Sequence, residues 1–206
     1  MSVLKNLDVL IMNARQLDED ALLTLYDNYL PHVFRFIFYH VDNRAVAENL
    51  TTKTFLKMLM AIPEFRGDGK SFYPWLLKIA SKSTMEYLES RSDGPEVLSD
   101  DTEDIFRKSE EKNTIRRRNI ANLDAPEIRR AVRKLADEEK QVLVLKLAMG
   151  LSNTEIAKVL DKSEGFIRPL QVKSLTSLRK TLERRRESGE RVKPTISPKK
   201  KATNHG

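Results

Sequence analysis

Apolar residues in the first ninety positions recur at steps of three and four. Leu22, Tyr26, Tyr29, Val33, Phe36 and Ile37 would line one face of a helix that starts near Asp18. Pro31 falls inside this run and predicts a break or kink. A second helix is predicted from about Arg44 to Ala61, with Leu50, Phe55 (or Thr54), Met58 and Ile62 near its inner stripe. Pro63 and then Gly67-Asp68-Gly69 end it. A third is predicted to begin near Ser71, with Ser71 as its cap and Pro74 in its first turn, and to continue through Trp75, Ile79 and Tyr87. Val and Ile rarely alternate with polar residues as half-buried strands require, so the chain reads as all-α.

The texture changes at Ser92. Ser92-Asp93-Gly94-Pro95 is a turn signal, and the acidic, polar stretch Ser99–Asp104 follows, so residues 92–124 read as a linker with a helical stretch around Ile105–Ile120. Three punctuated helices come next. Asp124-Ala-Pro-Glu127 has a capping residue, a proline just inside the start and a glutamate at the right spacing. Asp137 precedes a helix with Val142, Leu143 and Leu145 that stops at Gly150. Ser152-Asn-Thr-Glu155 is a capping box leading into Ile156, Ala157, Val159 and Leu160. After Asp161-Lys162, Ser163 can cap a final long helix. The tail from about Glu187 holds Pro194, Pro198 and Lys199-Lys200-Lys201 with almost no apolar content, and is expected to be disordered. The architecture read from this is two small helical domains, 1–91 and 125–186, joined by the acidic linker 92–124 and followed by the basic tail 187–206.

Residues 152–182 read as a helix-turn-helix in the C-terminal domain. Ala157 is small where two helices must cross, and Asp161 occupies the turn, where aspartate tolerates a left-handed backbone. At 100° per residue, Leu175, Leu178 and Leu182 fall within about 80° of Ile167, which predicts the buried stripe. Arg168, Val172 and Arg179 point away together, with Lys173 on the far flank. Such a face suits a major groove: Arg168 for a guanine edge, Val172 for a thymine methyl, Lys173 and Arg179 for phosphates, and Ser163 at the helix mouth. The plainer reading is that these charges only solvate a helix.

Charge supports the first reading. Residues 1–92 hold 11 Lys and Arg against 11 Asp and Glu, residues 93–124 hold 6 against 9, residues 125–186 hold 15 against 8, and the tail holds 5 against 2. A basic C-terminal half attracts a polyanion, with binding that weakens as salt rises. The chain has no cysteine, and His32, His40 and His205 are scattered, so a thiolate site, a disulfide framework and a metal site are not expected. No cofactor is implied. No nucleophile and base set, phosphate loop or paired acid cluster appears, so an enzyme is not expected either. No apolar run approaches the roughly 18 residues of a membrane span. The first sixteen residues lack the pattern of an export signal, which places the protein in the cytoplasm.

Three stretches carry a resemblance. Residues 136–147 (ADEEKQVLVLKL), 150–160 (GLSNTEIAKVL) and 162–168 (KSEGFIR) resemble the C-terminal promoter-binding domain of extracytoplasmic-function sigma factors, a group of the bacterial RNA polymerase sigma factors. Residues 25–31 (LYDNYLP) and 50–59 (LTTKTFLKML) resemble the family's core-polymerase-binding helices, and 72–80 (FYPWLLKIA) its promoter-melting helix. The resemblance covers roughly residues 19–184 in the family's order. It implies a non-enzymatic initiation factor whose partners are core RNA polymerase, promoter DNA and, as a candidate, an anti-sigma factor. Glu48, Asn49, Thr52 and Phe55 would then face the polymerase. Trp75, Lys78 and Lys82, which lie on neighbouring turns and mix an aromatic plate with cations, would hold the melted strand.

The chain departs from the family at several positions. The polymerase-facing stretch 45–53 has only Glu48 as an acid, and Lys53 would oppose a basic surface. Ser81-Lys82-Ser83-Thr84-Met85-Glu86 is poorer in Arg and Asn than the usual melting helix. Pro169 sits about six residues into the recognition helix, where it costs roughly 3 kcal/mol in an unconstrained interior and predicts a bend or a later helix start. Two readings stay open: a working alternative sigma factor, and a sigma-like protein that sequesters a partner without supporting initiation.

Overall fold

The computed structural model describes residues 2–90 and 126–187, and every regular element in them is helical. The linker 92–124, its helical stretch around Ile105–Ile120, and the tail beyond 187 lie outside the described residues. The first group of helices is α1 (Ser2–Arg15), α2 (Glu19–Val41), α3 (Arg44–Ala61) and α4 (Gly69–Ser90), with a 3-10 turn at Ile62–Glu64. The second is α5 (Pro126–Arg133), α6 (Asp137–Leu143) with a π turn at Val144–Ala148, α7 (Asn153–Leu160) and α8 (Glu164–Glu187).

Local chemistry sets the ends. Asp18 caps α2 by accepting from the Ala21 N–H at 2.9 Å, and Asn43 caps α3 by accepting from Val46 at 3.1 Å. Asp42 takes the left-handed conformation between them at φ 47°, which lets α2 turn directly into α3. The cap of α4 is Asp68 rather than Ser71: its carboxylate accepts from the Ser71 N–H at 2.9 Å and from the Ser71 hydroxyl. Those two bonds hold the Asp68 carboxyl below its usual pKa. Asp8 of α1 reaches the same turn and accepts from Gly69 N–H at 2.6 Å. Asp137 lies in the first turn of α6, where an acid suits the helix dipole, and Ala136 holds the cap position without a side-chain bond.

Pro31, Pro74 and Pro169 all lie inside continuous helices, so the predicted break at Pro31 and the later start at Pro169 are not found. Each proline frees the carbonyl four residues back, and those carbonyls belong to Asp27, Lys70 and Gly165, all exposed. Water can take the lost bond at all three.

The N-terminal core is built from Leu25, Phe36, Ile37, Met58, Ile62, Phe72, Leu76 and Leu77, all fully buried. Leu143, Leu145 and Met149 are the corresponding large side chains of the second group. The hydroxyls of Thr51, Thr54, Thr84 and Ser174 are buried but bonded to the carbonyl four residues earlier, so none is an unsatisfied donor. The two groups touch. α4 packs against α7, and the C-terminal half of α2 meets α5 and the π turn. Val33 to Val41 is therefore buried on every side, Arg35 and His40 included.

Candidate nucleic-acid interface

The corner between α7 and α8 is fixed by side chains that the sequence singled out. Both arms of the capping box are present: Glu155 N–H donates to Ser152 Oγ at 3.2 Å, and Ser152 N–H donates to Glu155 Oε2 at 2.7 Å. Asp161 ends α7 at φ 53° and ψ 43°. Lys162 N–H closes back onto the Ala157 carbonyl at 3.0 Å, and Ser163 Oγ accepts from Phe166 N–H at 3.3 Å to open α8. Ile156, Ala157 and Val159 bury one side of α7. Ile167 and Leu178 of α8 are buried as expected and Leu182 is half-buried, but Leu175 is 42% exposed. Leu170 and Ser174 fill that place, so the stripe is rotated towards them.

The outer side of α8 is open. At 100° per residue, Arg168, Val172 and Arg179 lie within about 40° of one another. Arg168 is exposed and has no ion-pair partner among the described residues, and Val172 is 67% exposed. Arg179 is held by Glu183 at 2.7 Å. Lys162 adds a cation at the helix mouth, 5.4 Å over the Phe166 ring, which the sequence reading left out.

Lys173 does not share that side. Its ammonium reaches Glu139 Oε1 of α6 at 3.1 Å, and Glu139 is only 5% exposed. Removing the lysine leaves a buried carboxylate without its partner. Lys173→Ala is therefore expected to lower the unfolding free energy by about 1–2 kcal/mol while barely changing duplex affinity. Urea unfolding beside DNA titration checks this, and the reverse ranking of the two effects would return Lys173 to the DNA face.

On α4, Trp75 is half-buried with its ring centroid 4.7 Å from Phe65 and 5.6 Å from Phe72. It is a wall of the core with one open edge. Lys82 is exposed without an ion-pair partner among the described residues. Lys78 is tied across the two groups to Asp161 Oδ1 at 2.5 Å.

On α3, Glu48, Asn49 and Thr52 are exposed on one side. Glu48 is held by Arg44 at 2.9 Å, and the Thr52 hydroxyl donates to the Glu48 carbonyl at 3.1 Å. Phe55 turns inward instead and meets Tyr26 edge-on at 4.8 Å. It floors an apolar groove of about 330 Å³ between α2 and α3 that Leu22, Leu23, Tyr26, Met58 and Leu59 complete. Leu56 and the 83% exposed Met60 extend this apolar surface. Their positions outside the inner stripe of α3 were the available sequence signal.

Among the described residues no group of His, Cys, Asp and Glu is placed to hold a metal, and no helix is long and apolar enough to cross a membrane.

Two family models match, Sigma-70 region 2 over residues 25–93 and Sigma-70, region 4 over residues 126–168. The chain is 34% identical over 176 residues to the ECF RNA polymerase sigma factor BldN of Streptomyces coelicolor, a match covering 84% of this chain and 64% of BldN. It is 26% identical over 175 residues to the ECF RNA polymerase sigma factor SigX of Bacillus subtilis, covering 82% of this chain and 87% of SigX. In fold it is similar to the sigma factor RpoE solved with the anti-sigma factor NepR from Bartonella quintana, at a TM-score of 0.60 and 18% identity, over 78% of this chain and 95% of that one. Both regions stand in order on one helical chain, which belongs to the extracytoplasmic-function group of the bacterial RNA polymerase sigma factors.

Proposed function

We propose that this chain is an alternative sigma factor that directs transcription initiation by binding core RNA polymerase and recognising promoter DNA. The N-terminal domain, 1–91, docks on the polymerase through Glu48, Asn49 and Thr52, with Phe55 shaping the adjoining groove from within. It holds the melted downstream element along Trp75, Lys78 and Lys82. The linker 92–124 spans to the C-terminal domain, 125–186, which reads the upstream element through Ser163, Arg168, Val172 and Arg179; the basic tail 187–206 follows. Lys173 serves α8 by seating it on α6. The chain does no chemistry of its own and works in the cytoplasm.

The observation that supports this best is the open outer side of α8, where an arginine with no ion pair among the described residues and an exposed valine share one helix side beyond a tight corner. That is the layout a major groove reads. An anti-sigma factor is a further proposed partner, and the apolar groove between α2 and α3 is a surface it can use. The competing reading, a sigma-like protein that only sequesters a partner, draws on the single acid Glu48 among residues 45–53. Reconstitution with cognate core polymerase separates the two. Promoter-dependent transcripts are expected, and a stable complex that yields none would favour sequestration.

A further inference from the structure

We propose that the outermost row of α8 reads thymine methyl groups: Pro169 and Val172 touch two neighbouring thymines in the major groove, and Gly165 lets the helix come close to them. The inference deepens the reading of α8 as the promoter-binding helix and rests on it.

At 100° per residue, Gly165, Pro169, Val172 and Thr176 fall within about 60° of one another. Each lies at least about 100° from the buried Ile167, Leu170, Ser174 and Leu178. All four are exposed, and no charged residue falls among them over roughly three turns. A helix side that meets only water carries charged and polar residues, whereas this one is glycine, proline, valine and threonine. The Thr176 hydroxyl donates to the Val172 carbonyl of its own helix at 2.9 Å, so the group it has left to present is its methyl. Cations edge the row, Arg168 and Arg179 on one side and Lys180 on the other, all exposed. An apolar strip between cations suits a groove walled by phosphates and floored by bases.

Two of the four residues weaken the helix, and nothing inside the protein calls for either. Pro169 removes the ladder bond to the Gly165 carbonyl. Gly165 does not have the positive φ that would require glycine, and a Cβ added there would meet only Ser163 Oγ, at 3.9 Å. Both lie on the outward row, so the demand for them comes from outside. Glycine permits close approach to the backbone, and proline offers an apolar ring that is already rigid and lacks a donor.

Thymine is the base that fits. Its C5 methyl is the apolar group in the major-groove pattern, where the other bases are read by their donors and acceptors. Three residues of helix advance about 4.5 Å, close to the step of about 3.4 Å between bases of one strand. Pro169 and Val172 therefore reach neighbouring bases.

The test uses the full chain and a fluorescent duplex selected from a randomised pool. Each thymine is replaced singly by deoxyuridine, which removes the methyl and keeps every hydrogen-bonding group. Two neighbouring thymines should respond, each replacement weakening binding about three- to five-fold, as loss of one buried methyl contact does. Val172→Ala should make binding indifferent to deoxyuridine at one of these positions, and Pro169→Ala at the other. Pro169→Ala also restores a ladder bond, so its thermal stability should hold or rise while its affinity falls. Gly165→Ala should weaken binding without loss of stability. Any of four results overturns the inference: no penalty from deoxyuridine, a penalty that persists in both variants, a Pro169→Ala protein that is less stable, or a Gly165→Ala protein that binds as the parent does. Arg168→Ala separates this from the reading beneath it. If that variant selects a different sequence while the methyls are silent, α8 reads DNA through other groups; if it changes nothing either, the reading of α8 fails too.

Discussion

Arg168→Ala is expected to weaken binding of the full chain to its selected duplex by between about 5-fold and 150-fold, and to erase the preference at one base position. The range corresponds to the roughly 1–3 kcal/mol by which a bidentate arginine discriminates guanine from other bases. Three observations place the effect on recognition rather than folding. Arg168 is exposed, has no ion pair among the described residues, and at 100° per residue projects between about 80° and 160° away from the buried residues Ile167, Leu170, Ser174 and Leu178. Truncating this exposed side chain leaves no acid unpaired among the described residues. Arg179 differs. It is held by Glu183, so a phosphate must displace that carboxylate, and Arg179→Ala should weaken all sequences alike with a salt slope reduced by about one. Selection from a randomised duplex, followed by anisotropy titrations of both variants, separates the two patterns. An Arg168→Ala protein that selects the same sequence with the same affinity would remove α8 as the reader.

The elements with local causes were legible in the sequence, and those with distant causes were not. α3 runs from Arg44 to Ala61, where the period placed it, because Asn43, the inner stripe and Pro63 all act within a few residues of it. The corner at Asp161 and the box at Ser152 were legible for the same reason. Ser71 was misassigned because two neighbouring residues both had capping chemistry, and only the fold shows Asp68 receiving the bonds. No break at Pro31 and no later start at Pro169 is found because the cost of a proline depends on whether water reaches the freed carbonyl, which the pattern of one helix does not encode. Leu175 misled for a related reason: the stripe of α8 is set by α5, α6 and α7 together, and these rotate it towards Leu170 and Ser174. The strongest unread signal was Val33 to Val41, a nearly unbroken apolar run with no polar side. A helix segment apolar all round is covered all round, and here the second domain supplies the missing cover. The tie between Lys78 and Asp161 had no local trace. As a result, Lys78 looked free in the sequence and is engaged in the fold.

The same cover makes the fold sensitive to acid at one residue. His40 lies near the end of α2, and burial pushes its pKa down to about 4 from 6.5. Its Nδ1 donates to the Phe36 carbonyl at 2.8 Å, which opposes that shift, while Nε2 is buried with no hydrogen-bond partner among the described residues. Lys140 of the second domain lowers the pKa further and Asp137 raises it. An unfolded His40 takes up its proton near pH 6.5, whereas the folded one resists until about pH 4. The stabilisation from keeping the ring neutral is therefore fully present above pH 6.5 and is lost as pH falls towards 4. At 1.36 kcal/mol per pKa unit, about 3 kcal/mol disappears across that window. His40→Leu removes the titration and keeps an apolar side chain in the space. Urea unfolding of both proteins at several pH values between 7 and 4 isolates the effect, because carboxylates common to the two cancel in the difference. The parent should lose stability more steeply than the variant, and the gap between them should narrow in the variant's favour as acid is added. Parallel curves over the whole window would mean that the ring is hydrated or already protonated, and that the seam between α2 and the second domain is open in solution.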